Sequence, residues 1–96
     1  MKTFHTTEET ELLINDHSES RKRIAVLKGR LEALSAALDL AAVHVDCAIQ
    51  GMETPEMEQA LYSIPSPQAL ISACEDYREE VRHSLELASR LAVLDR

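Results

Sequence analysis

The sequence predicts an all-α fold: a long antiparallel helical hairpin with short N-terminal and linker helices, forming a dimeric helical bundle. Three observations carry this. Leu, Ala, Glu and Arg dominate, and these favour helices, whereas two glycines, three prolines and no tryptophan suit neither a loop-rich nor a β-rich chain. Ile24, Leu27, Leu31, Leu34, Leu38, Ala41, Val45, Ala48 and Met52 alternate at spacings of three and four, an a/d heptad pattern. Residues 36–49, "AALDLAAVHVDCAI", are apolar nearly all round, the mark of an interior helix.

A chain of 96 residues makes one domain, 1–96. Its first 15 residues read as an arm with a short helix near 7–14. Thr6 and Glu9 have capping-box spacing, and Glu8, Glu9 and Glu11 suit a helix N-terminus. "NDHS" at 15–18 is a candidate break, with Asp16 and Glu19 as a second capping pair; one continuous helix is the competing reading. The long helix then spans 16–52, about 35 residues or roughly 50 Å, and Gly51 is its expected stop. The linker 53–66 holds a short helix over 55–63. Thr54 is its cap and Pro55 its first residue, and Met57, Ala60, Leu61 and Ile64 share a face. Ser66 and Pro67 open the last helix, 67–94, with a stripe of Leu70, Cys74, Tyr77, Val81, Leu85, Ala88 and Ala92, widened by Leu87, Leu91 and Leu94.

Pairing residue 52 with residue 68 gives facing residues whose numbers total about 120. In that register residues 16–25 overhang the last helix. The expected dimer interface is Leu38, Leu40, Val43, Cys47 and Ile49, because a two-helix hairpin cannot bury both sides of 36–49.

Charge is unevenly placed. Residues 1–20 carry −4, residues 21–30 carry +5 and residues 31–96 carry −8, for a net charge of −7. The positive island is "RKRIAVLKGR". In the heptad frame Arg21 and Lys28 are e positions and Arg23 and Arg30 are g positions. Such residues flank a seam and commonly form interhelical ion pairs. Read as a site, Arg21, Lys22, Arg23, Lys28 and Arg30 fit an acidic protein surface or a phosphate. The apolar Leu12, Leu13, Met57 and Leu61 would supply the desolvated part of the contact. No aromatic interleaves the cations and the remainder is acidic, so nucleic acid is a disfavoured partner.

His44, Cys47, Cys74 and Asp76 could form a zinc set by residue type, but no dense ligand motif is present, so no metal or cofactor is expected. Glu79 and His83 lie four apart, a pair common by chance in charged helices. No nucleophile elbow or phosphate loop occurs, so no catalytic residues and no enzyme are expected. No apolar run is long enough to span a membrane and no signal-peptide pattern opens the chain, which predicts a cytoplasmic protein with reduced thiols. The reading that best fits is a small regulatory interaction protein that inhibits or adapts a protein partner by occlusion. The alternative is a ligand-binding protein holding a nucleotide or other phosphorylated molecule at 21–30, near a subunit boundary.

Overall fold

The computed structural model describes residues 3–52 and 54–94, with side chains from Glu8 onward. It has three helices: α1 (Thr3–Ile49), α2 (Met57–Tyr62) and α3 (Pro67–Leu94). The chain divides into two compact units, one of Met1–Lys28 with Glu75–Arg96, the other Gly29–Cys74. The all-α class stands, and α1 and α3 are antiparallel. Among the described residues, no helix is long and apolar enough to cross a membrane.

The separate N-terminal helix is overturned. α1 runs unbroken through 15–18. Asn15, Asp16, His17 and Ser18 are mediocre helix formers, each costing only a few tenths of a kcal/mol, too little to end a helix that packs on both sides of them. Because the helix begins at Thr3, Thr6 is not at a cap position; its side chain lies outside the described residues.

In the first unit α3 packs antiparallel to the N-terminal part of α1. Ser20 and Arg23 of α1 both meet Glu80 of α3, so facing numbers total about 100, not 120. The overhang is overturned with it: His17, Arg21, Lys22 and Ala25 lie beside Leu91. On α1 the inward residues Leu13, His17, Ser20, Ile24 and Leu27 keep the expected spacing. On α3 the expected stripe holds in part: Leu70, Tyr77, Val81, Ala88, Leu91 and Leu94 are half-buried, while Cys74, Leu85 and Ala92 are exposed. Ser84 and Leu87 are buried, while Leu85 is 66% exposed.

In the second unit α1 ends at Ile49, three residues before the expected 52. The Met52 N–H donates to the Cys47 carbonyl (2.8 Å) and the Gly51 N–H to the Ala48 carbonyl (3.0 Å), the paired bonds of a Schellman cap. Gly51 sits at φ 81°. A Cβ there would meet nothing within 4 Å, so strain in the left-handed region is the sole cost of adding one. Gly51→Ala should lower stability by about 1–2 kcal/mol, read as a lower urea midpoint at unchanged slope.

The chain then returns along α1 at once, which explains the register: the linker is itself paired, not spare length. α2 starts at Met57, without a side-chain cap. The Thr54 hydroxyl, expected to cap it, instead lies 3.1 Å from His44 Nδ1. Ala41 of α1, Ala60 of α2 and Ala73 of α3 are buried. From Ala37 onward the inward line of α1 runs through Ala37, Ala41 and His44, not through Leu38, Val45 and Ala48. Met52 falls in the turn, 53% exposed. α3 begins as expected, the Ser66 hydroxyl accepting the Ala69 N–H at 3.1 Å.

Candidate functional site

The basic decade divides by what each cation already does. Arg23 Nε and Nη2 donate to the two Glu80 oxygens at 3.0 and 3.3 Å, a two-point contact. The Ser20 hydroxyl, fully buried, donates to Glu80 Oε2 at 2.6 Å. These bonds, Arg23's first and Ser20's second, hold the Glu80 carboxyl below its ordinary value. The hydrogen bond to Glu80 likewise raises the Arg23 guanidinium. Arg23 is therefore a structural ion-pair member, answered by a helix-α3 acid that the sequence reading did not nominate. Lys22 pairs with Glu19 at 3.3 Å, both well exposed, and such pairs contribute little. Arg30 also has an interaction within the chain. Lys28 is exposed.

Arg21 and Lys22 line a cleft of the first unit with Ile14, His17, Ser18, Ala25 and Leu91. Its lining sets apolar Ile14, Ala25 and Leu91 beside cationic Arg21 and Lys22. A second groove of the same unit is acidic, lined by Leu27, Asp76, Glu79, Glu80, Arg82, His83 and Glu86. Of the apolar residues expected to join the cations, Leu12 is 65% exposed and Leu13 half-buried in the first unit. Met57 and Leu61 belong to the second unit.

The expected dimer residues fall on two sides of α1. At 100° per residue, Leu38 and Ile49 lie to one side of buried Ala41, and Leu40, Val43 and Cys47 to the other. Leu40 shares a cleft with Ala37, His44, Glu56, Gln59, Ala60 and Ser63. Leu38, Leu40, Val43 and Ile49 are exposed, and Cys47 is half-buried.

His44, of the candidate zinc set, faces Thr54, and Cys74 is exposed. Among the described residues, no three His, Cys, Asp or Glu side chains gather as metal ligands would. His17, Ser18 and Leu91 were not nominated for the cationic cleft. Their signal was present: His17 is a seam position counted back from Ile24, and Leu70, Ala73, Tyr77, Leu87, Leu91 and Leu94 trace a second heptad line interrupted by Glu80 and Ser84.

No family model, curated protein or solved structure matches the chain.

Proposed function

We propose that the chain is a small homodimeric regulator that binds another protein and inhibits or adapts it by occlusion, docking an acidic, partly apolar segment in the cleft of the first unit. The observation that carries this is the composition of that cleft. Ile14, Ala25 and Leu91 offer apolar surface beside Arg21 and Lys22. A contact that desolvates apolar side chains inside a charged rim has the anatomy of a specific interface. Its charge complements an acidic partner and speeds encounter.

The test is capture from native-host extract, compared with an Arg21→Glu/Lys22→Glu variant. A partner should be retained by the wild type and lost at least tenfold by the variant, with retention falling as salt rises. Equal capture by both removes the cleft from the reading.

The nearness of Ser18 and His17 to Arg21 and Lys22 favours, as a second reading, a phosphorylated small molecule in the same cleft. Engagement of Arg23 by Glu80 leaves that reading fewer free cations. Stabilisation by several degrees with one nucleotide, and no captured protein, would favour it.

A further inference from the structure

We propose that the docking surface of the first unit runs from the cationic cleft across onto α3, and that its occupant is an acidic amphipathic helix of the partner protein, seated between α1 and α3. This rests on the docking proposed for the cleft and names the form and chemistry of the docked segment.

The surface follows from how charge is divided across the α1–α3 seam. Ser20 and Glu80 meet on that seam. At 100° per residue, Ile14, Arg21, Ala25 and Lys28 lie to one side of Ser20, and Asp16, Glu19 and Arg23 to the other. On α3, Arg78, Val81, Leu85 and Ala88 lie to one side of Glu80, and Asp76, Glu79, His83 and Glu86 to the other. Antiparallel helices bring like flanks together. Arg23 accordingly reaches Glu80 at the acidic groove, and Ile14, Arg21 and Ala25 line the cleft on the opposite side. From Ile14 to Lys28 and from Tyr77 to Ala92 the acids are Asp16, Glu19, Glu79, Glu80 and Glu86. None of them falls on the cleft side.

That side is a furrow between two packed helices, apolar and cationic without an acid. Arg21, Lys28 and Arg78 are exposed. Tyr77, Val81 and Ala88 are half-buried, and Ile14 and Leu85 are 55% and 66% exposed. From Arg78 to Ala92 the furrow runs about 20 Å, or about four turns of helix.

Charge selects the occupant. In a chain of net charge −7, a face that carries Arg21, Lys28 and Arg78 and no acid is complementary to an anionic partner. A second copy docked two-fold by the same face would bring more cations and no acid to answer them. Shape selects a helix. A furrow between two antiparallel helices takes a third as a bundle does. Apolar residues of that helix at i, i+3, i+4 and i+7 would cover Val81, Leu85 and Ile14, while acids on its flanks would meet the three cations. A lipid surface, being flat, would rest on Ile14 and Leu85 and leave Tyr77, Val81 and Ala88 uncovered. A nucleic-acid backbone would answer the cations and leave the apolar side chains wet.

The probe is a fluorescein-labelled synthetic helix of about four turns, with leucine at i, i+3, i+4 and i+7 and glutamate on its flanks. It is titrated with the full chain up to about 200 μM and read by anisotropy, with circular dichroism on every variant. It should bind at least tenfold more tightly than the same peptide with lysine for every glutamate, or with a proline at its centre. Arg78→Glu and Leu85→Glu should each weaken binding at least tenfold, and Glu79→Gln, on the acidic side, should leave it within twofold. A second measurement covers variants that fail to fold. In protein with Cys47→Ser and Cys74→Ser, saturating peptide should slow maleimide labelling of Leu85→Cys at least tenfold and leave Glu79→Cys unchanged. No binding, equal binding of the lysine or proline peptide, or protection of Glu79→Cys in place of Leu85→Cys overturns the proposal. So does Leu85-dependent binding to phosphatidylglycerol vesicles or duplex DNA without binding of the peptide, or a dimer that Leu85→Glu dissociates. Capture from native-host extract that is lost on Arg21→Glu/Lys22→Glu but kept on Leu85→Glu and Arg78→Glu overturns this inference and leaves the proposed function standing.

Discussion

Leu87→Ala lowers the stability of the protein by about 2–5 kcal/mol, the range for removing a buried leucine from a core that cannot close over the gap. Leu87 is 3% exposed, and the other buried apolar residues described are Ala41, Ala60 and Ala73. In its unit Leu87 is the buried apolar residue described, beside the half-buried Leu13, Ile24, Leu27 and Leu91. For a domain of this length each kcal/mol moves the melting temperature by about 4–8 °C, so the variant should melt at least about 8 °C lower. Leu85→Ala, two residues away and 66% exposed, should stay within about 0.5 kcal/mol of wild type. Urea unfolding of both at one protein concentration checks this. Equal losses would mean that the inward line of α3 runs through Leu85.

Removing the Glu80 carboxylate is expected to have the second largest effect, and to make stability less dependent on pH. In Glu80→Ala the fully buried Ser20 hydroxyl loses its Glu80 acceptor, a loss of about 1–3 kcal/mol. Arg23 loses its partner too, but half its side chain is exposed and water can replace the contact. The double variant Ser20→Ala/Glu80→Leu, which removes donor and acceptor together, should recover most of the loss. Glu80→Gln isolates the charge. The folded protein holds this carboxyl below its ordinary value, through Arg23 first and Ser20 second. Its unfolded value is about 4.3. The folded state therefore favours the ionised form, and the stabilisation is fully present above the unfolded value and is lost as pH falls through the folded one. Wild type should exceed Glu80→Gln in melting temperature at pH 6–7, and the gap should close below about pH 4. A gap that widens on acidification would contradict the assignment.

The all-α fold and the hairpin were legible because they rest on local signals. Gly51 stops α1 and Ser66 opens α3, each through its own backbone. The seam of α1 was legible through Leu34, where one apolar line faces one partner. Beyond it, Leu38, Ala41, Val45 and their neighbours are apolar on every side, and periodicity cannot choose among equivalent lines. α2 makes the choice by lying against Ala37 and His44. On α3 Leu85 looked inward by hydrophobicity alone, and Val81, beside Glu80, is half-buried as expected. The observed inward line contains Glu80 and Ser84, and Glu80 becomes tolerable there because Arg23 and Ser20 satisfy it. The basic cluster was legible as a charge island. Which cations are engaged was not, because that depends on a residue 57 positions away from Arg23.

The Ser20–Glu80–Arg23 knot also bears on folding fidelity. A seam built on a seven-residue repeat can slide by seven and still bury apolar side chains. Sliding α3 by one repeat would set Ala73 or Leu87 against Ser20, strand its hydroxyl and leave Arg23 unanswered. The knot thus adds a polar match to the register that the paired linker sets, and makes a one-repeat slide costlier still. Ser20→Ala/Glu80→Leu, which discards the match but leaves the linker pairing, is expected to keep one alignment, seen as a single set of amide signals along α3.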